Sequence, residues 1–321
     1  MAQGSDKPSK IGLYFFGIVE ILIGLLFLLI ALTSLFIPKI PPLNPQVPMP
    51  SFLPVSLFAF AFSTFVIAMG VGTIMAKRWA RKIMLILSWY GLGLGLVGIL
   101  FFIFFMGSFL NTAFSNAPNI TPAVASGMKM GMMVMMAVFY VILPGVFVLF
   151  YQSKRVLAAV EYYDPKENWM DACPTPVFAV SFICAFGAVG MGILGLMVLS
   201  TNLPFFGAVF PVWGIALFLL VMFSALTYIS IGFYHLEVKA WWAALILVIL
   251  GSAAAFFMFK LIDPMSAYQR MNVPAAQIDQ MKKSGALDMY KSMPNVSWIM
   301  MVPYLAYLLF IRKYFFKDAS K

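Results

Sequence analysis

Eight long apolar stretches run through this chain, and few folds can hold them. They cover residues 11–37, 54–76, 83–108, 129–151, 176–200, 209–234, 241–262 and 296–312. About 20 mostly apolar helical residues cross a hydrocarbon core of roughly 30 Å, so stretches of these lengths read as membrane spans. A soluble alternative fails on composition. With 63% hydrophobic and 10% charged residues, and a mean hydropathy of +0.97, the chain cannot clothe a globule in polar surface. The expected fold class is therefore all-α, a polytopic membrane protein with eight transmembrane helices. The first stretch is too long for a signal-peptide core and no small-residue cleavage site follows it, so it reads as a retained helix.

Basic residues orient the spans. Seven of the 21 Lys and Arg fall on one side: Lys39, Lys129, Lys260, Arg270, Lys282, Lys283 and Lys291. The other 14 accompany both termini and the alternate short loops, among them Lys77, Arg78, Arg81, Lys82, Lys154, Arg155, Arg312 and Lys313. That side is expected to be cytoplasmic, which places both termini in the cytoplasm of a cell (inner) membrane protein. Because the basic residues flank helices, the net charge of +10 points to anionic lipid headgroups and not to nucleic acid.

The two halves resemble each other. Pro144 to Lys154 and Pro303 to Lys313 each combine a mid-helix proline with a basic exit, and Lys77-Arg78-Trp79-Ala80 sets against Lys239-Ala240-Trp241-Trp242. In each half the longest external loop, 109–128 or 263–295, precedes the last span. The expected organisation is a four-helix unit over 1–160, a cytoplasmic linker over 161–175 and a second four-helix unit over 176–321. An even helix count gives both units the same orientation, as parallel repeats. In the linker, Asp164-Pro165-Lys166-Glu167 has the form of a capped helix start, ended by Pro174.

Outside the spans, prolines at 42, 45 and 48 line one face of a polyproline II helix. Residues 274–292 alternate apolar and charged at helical spacing, as a surface-lying amphipathic helix does. Asn119-Ile120-Thr121 and Asn295-Val296-Ser297 have the form of glycosylation sequons.

Several motifs are weighed against simpler readings. Gly93-Leu94-Gly95-Leu96-Val97-Gly98 and Gly190-Met191-Gly192-Ile193-Leu194-Gly195 match a dinucleotide-binding string but lie inside spans with no preceding strand. The small residues Gly17, Gly24, Gly91, Gly95, Ala188 and Gly192 instead read as helix-packing seams, which let backbones approach. Met128, Met132, Met135 and Met136 share a helix face, and their M-x-x-x-M spacing resembles that of copper transporters, which implies a Cu(I) site. Methionine also serves as a deformable packing residue. His235-Leu236-Glu237 lacks the cysteine pair that a zinc deaminase needs, and with one histidine in the chain, histidine-based hydrolysis and two-His haem ligation lose support. Cys173 and Cys184 would stand about 16 Å apart along a helix, too far for a disulfide.

Glu20 is the one acid inside the spans, nine residues beyond Ile11 and so about 13 Å deep if the membrane begins there. Ser63, Thr64, Ser88 and Tyr90 are its candidate partners, and the readings are a structural hydrogen bond, a proton or cation site, or a lipid or partner contact.

The Lys77-Arg78-Trp79-Ala80 turn with the proline-kinked last helix resembles uncharacterised bacterial multi-pass membrane proteins. That resemblance implies no activity. The expected function is a non-catalytic scaffold or accessory subunit of a larger membrane protein complex, in contact with membrane lipids and other membrane subunits. One alternative is a transporter or channel for a small solute or lipid using Glu20 and kinks at Pro144 and Pro303. Another is a lipid-directed membrane enzyme with Asp263 or Asp288 as acid. No cofactor is predicted, and a bound lipid fits this reading.

Overall fold

The computed structural model describes residues 7–34, 53–103, 121–200, 212–261 and 301–316, with isolated positions at 110, 263, 265, 278, 279, 282 and 294. Within them the order is α1 (Ile11–Ser34), α2 (Leu53–Ile74), α3 (Arg78–Phe101), α4 (Pro122–Met136), α5 (Leu143–Gln152), α6 (Lys154–Tyr163), α7 (Thr175–Ser200), α8 (Val212–Tyr234) and α9 (Val238–Leu261). A further helix, α10, covers 301–311 and tightens into a 3-10 turn at Arg312–Tyr314. Among the described residues seven spans are long and apolar enough to cross a membrane, with α4 and α5 forming one of them over Pro122–Gln152. The chain is a multi-pass helical membrane protein. The eighth apolar stretch, 296–312, begins outside the described residues. So do both sequon asparagines, Asp288, and most of the proline-rich loop and of the amphipathic segment 274–292.

The chain divides into two compact units, one of residues 1–93 with 142–175 and one of 94–141 with 176–321. In the first, α1 and α2 meet along glycines. A Cβ on Gly17 would lie 2.7 Å from the Gly70 carbonyl oxygen, and one on Gly24 would lie 2.6 Å from Ile67 Cγ1. Ser63, seven residues before Gly70, donates its hydroxyl to the Gly24 carbonyl at 2.9 Å. The seam therefore repeats every two turns on both helices, and its closeness depends on the missing side chains. Phe16 stacks on Phe150 with centroids 3.8 Å apart, which fixes α5 against the same helix.

The α2–α3 and α8–α9 hairpins turn in the same way. At the end of α2, Lys77 N–H reaches the Gly72 carbonyl at 2.9 Å and Ala76 N–H reaches Thr73 at 2.9 Å. At the end of α8, Glu237 N–H reaches Gly232 at 2.8 Å and Leu236 N–H reaches Phe233 at 3.1 Å. The residue that reverses the chain is left-handed in both, Ala76 at φ 55° and Leu236 at φ 58°. Gly72 packs against Ala80, and Gly232 against Ala240, so the next helix can leave close to the last turn.

Pro144 has no N–H to give the carbonyl four residues earlier, that of Tyr140. The chain passes this defect as a π-helical turn over Ala137–Ile142, and Gly95 is where α3 admits the Tyr140 carbonyl. Ser153 then breaks the helix with an extended backbone and its hydroxyl caps α6, accepting Val156 N–H at 3.3 Å. α6 is amphipathic, burying Val156, Ala159 and Val160. The linker differs from the sequence expectation. Asp164 closes α6, and the short 3-10 helix is Trp169–Ala172, begun at Asn168, whose N–H is accepted by Asp171 at 3.0 Å. Asp164 does not start that helix because its carboxylate accepts Arg78 N–H at 3.1 Å and meets Lys77 Nζ at 3.5 Å.

In the second unit, Ser181 and Ser230 exchange hydroxyl bonds with each other's carbonyls at 2.7 and 2.8 Å, tying α7 to α8. Trp241 of α9 donates its indole N–H to the Leu308 carbonyl at 3.0 Å, and Phe233 meets Phe315 edge-on at 4.9 Å. These contacts seat α10 against the α8–α9 hairpin.

Candidate functional site

Glu20 is 1% exposed, and both of its oxygens are occupied. Thr73 Oγ1 donates to Oε2 at 2.9 Å, and the Tyr151 hydroxyl donates to Oε1. Thr73 Oγ1 and Tyr151 Oη are themselves 2.9 Å apart, closing a three-membered ring. α1 supplies the acid, and the last turns of α2 and α5 supply the hydroxyls. The glycine seam sets the first separation, and Phe16, Phe147 and Phe150 around the Tyr151 ring set the second.

Hydrogen counting limits what the ring can be. Three oxygen–oxygen contacts need three hydrogens, and the two hydroxyls carry one each. A neutral carboxyl supplies the third by donating to one hydroxyl, which then turns its own hydrogen to the other, so a fully bonded ring belongs to the protonated acid. With a carboxylate, one contact lacks its hydrogen. The ring can thus exchange a single proton at the expense of one hydrogen bond. It is sealed by aromatic and apolar side chains, where an unmade polar bond costs most.

The other sequence candidates lie elsewhere. Ser63 bonds the Gly24 carbonyl, while Thr64 donates to Phe60 at 2.9 Å and Ser88 to Met84 at 2.6 Å, both within their own helices. Tyr90 is 37% exposed on α3. A Cβ on Gly91 would lie 3.6 Å from Pro144 and one on Gly192 3.6 Å from Phe223, Gly95 receives the Tyr140 carbonyl, and Ala188 is buried. Met128, Met132 and Met135 are exposed along α4, and the Met136 methyl lies 3.6 Å from where a Gly98 side chain would begin. Cys173 and Cys184 form no disulfide. Asp263 accepts Met265 N–H at 3.3 Å.

Thr73 and Tyr151 are absent from the sequence-derived set. Their sequence signal is the pairing of an intramembrane acid with hydroxyl residues near helix ends, whereas depth counted from Ile11 points to mid-helix positions.

A second polar cluster lies where α3 begins. Besides its backbone bond, Arg78 donates Nε–H to the Asp164 carbonyl at 2.8 Å and pairs with Asp171 at 3.7 Å. Lys82, 7% exposed, gives its ammonium to the carbonyls of Met170 and Cys173. These bonds fold the linker over the start of α3. Lys10 sits 3.7 Å over the Tyr163 ring, and the Tyr163 hydroxyl reaches the Pro8 carbonyl at 3.3 Å, which holds the N-terminal segment beside α6. Compared with family models, with curated proteins and with solved structures, the chain matches none.

Proposed function

We propose that the chain is a non-catalytic scaffold or accessory subunit of a larger membrane complex, built from two like-oriented four-helix units with both termini in the cytoplasm. The observation that carries this reading is the contrast between two kinds of glycine. Gly17, Gly24 and Gly70 are filled by the neighbouring helix at 2.6–2.7 Å. Gly93 on α3, Gly127 and Gly131 on α4, Gly190 on α7 and Gly251 on α9 would each place a Cβ with nothing within 4 Å among the described residues. Gly127 and Gly131 stand four apart, one turn of the same face, where a second helix backbone can approach. Two of these four spans are also the least enclosed, with 11% of Pro122–Gln152 and 6% of Val238–Lys260 buried, against 28% for the α3 span and 22% for the α7 span.

Duplication is supported by the two hairpin turns, whose bonded residues stand 160 positions apart, and by burial at the same spacing. Val148 and Leu308 are each 4% exposed, and Tyr151 and Ile311 are both fully buried. This register pairs Lys77 with Glu237, two residues away from the pairing suggested by the tryptophans.

The test is purification of the full chain from its native membrane in mild detergent, with mass spectrometry of what accompanies it, alongside Gly131→Leu and Gly251→Leu. The variants are expected to fold normally and lose their companions. Unchanged companions in both variants, or a lone wild-type monomer, refute the subunit reading. A transporter using Glu20 is favoured only by the ring's capacity for one proton, and Glu20→Gln with undiminished proton or solute flux eliminates it.

A further inference from the structure

We infer that the start of α3 carries a binding site for an anionic glycerophospholipid, whose phosphate sits among Arg78, Arg81 and Lys82 and whose acyl chain follows α3 into the membrane. A cleft of about 130 Å³ opens there, with Leu85 and Leu157 as its apolar wall. Its three cations are not equivalent. Arg78 is held by Asp164 and Asp171, and Lys82 by two carbonyls. Arg81 differs, because its Nε is shielded from solvent and finds no acceptor among the described residues. A buried N–H of this kind lacks a bond, and because Arg81 lines the cleft, a turn of its guanidinium toward the opening lets a phosphate oxygen complete it with a charge-assisted one. The two acids at the cleft do not supply the missing partner. Asp171 is engaged by Arg78 and by Asn168 N–H, and Glu161 is solvent-exposed.

A second cleft, also about 130 Å³ and lined almost wholly by apolar atoms, lies against Met84, Leu87 and Ser88 of α3 and Leu143, Pro144 and Phe147 of α5. Arg81, Leu85 and Ser88 follow one another at four- and three-residue steps on a single stripe of α3. Seven residues at 1.5 Å each separate the headgroup cleft from the apolar one by about 10 Å, a distance that a glycerol ester and the first methylenes span. Free phosphate shares the oxyanion chemistry of the first cleft but has no use for the second, and the paired clefts select the lipid.

The experiment is native mass spectrometry and thermal melting of the full chain in uncharged detergent, titrated separately with phosphatidylglycerol, phosphatidylcholine and inorganic phosphate. Phosphatidylglycerol is expected to bind at least tenfold more tightly than phosphatidylcholine. Arg81→Gln should weaken it about tenfold while shifting the lipid-free melting temperature little, since its Nε has no bond to lose and only unbonded attraction to Glu161 and Asp171 goes with the charge. Glu161→Gln, an exposed change that removes a competing negative charge, should strengthen it. Equal binding of the two lipids, or binding unaffected by Arg81→Gln, overturns the site. Displacement of the lipid by millimolar inorganic phosphate overturns the lipid assignment in favour of a soluble ligand.

Discussion

Replacing Tyr151 by Phe removes one oxygen from a fully buried ring and leaves the rest of the side chain in its aromatic nest. Glu20 Oε1 then has no donor, and Thr73 Oγ1 loses a neighbour 2.9 Å away. A buried polar group deprived of its partner costs about 1–3 kcal/mol. Thr73→Val and Glu20→Leu each break two of the three ring contacts and should cost about as much. The informative variant carries all three changes. With no polar atom left, the penalty for unsatisfied groups vanishes, and apolar replacement of a buried polar cluster is often neutral. The single changes, summed, predict a loss of about 6 kcal/mol, whereas the ring argument predicts a triple variant within about 2 kcal/mol of the wild type. Thermal melting in detergent micelles, followed by size-exclusion chromatography, reads this directly. At roughly 2–4 °C per kcal/mol, each single variant should melt about 4–8 °C lower, and the triple variant should recover most of that. A triple variant that loses the sum of the three refutes the closed-ring account, because it means each side chain stabilises the unit by independent packing.

Three further outcomes follow from the same contacts. Gly17→Ala forces a methyl onto the Gly70 carbonyl and should cost about 1–3 kcal/mol in melting experiments, whereas Gly131→Ala meets open space and should cost nothing or stabilise by up to about 1 kcal/mol. Asp164→Ala frees Arg78 N–H and Lys77, so limited proteolysis should cut the segment between α6 and α7 faster than in the wild type. Burial pushes the Cys173 thiol up from its ordinary range, opposed by the Lys82 ammonium. A raised thiol holds less thiolate at pH 8 than a free cysteine does, so iodoacetamide should leave folded Cys173 unmodified and label it only after denaturation; labelling at the free-cysteine rate contradicts the packing described.

Hydropathy made the spans legible, because a membrane leaves a run of about 20 apolar residues little choice of structure. The acid at the site was legible for the same reason: Glu20 is conspicuous where every neighbour is apolar. Its partners were not, and the cause is geometric. Counting from Ile11 assumes that the membrane starts where the apolar residues start. α1 instead begins beside α6, with Lys10 on the Tyr163 ring, and Glu20 stands level with the last turns of α2 and α5. Mid-helix hydroxyls such as Ser63, Thr64 and Ser88 were therefore at the wrong level, and they settle on backbone carbonyls. Neither the π turn before Pro144 nor the Ser153 break shows in hydropathy, since both depend on which backbone groups lack partners.

The second unit gives independent reason to expect that the ring is dispensable to folding. On the proposed register of 160, Thr73 corresponds to Phe233 and Tyr151 to Ile311, both fully buried. Matching the Gly17–Gly70 crossing to the Ser181–Ser230 crossing sets Cys184 where Glu20 stands. All three polar members are replaced together. That is the pattern expected if the ring is a unit, because losing one hydroxyl strands the acid while losing the whole set strands nothing. On the proposed duplication, the same helical arrangement is packed in the second half with a thiol, an aromatic ring and an isoleucine. A polar ring whose counterparts on this register are a thiol, a phenylalanine and an isoleucine is expected to be separable from helix packing, and a triple variant that melts like the wild type is the result that shows it.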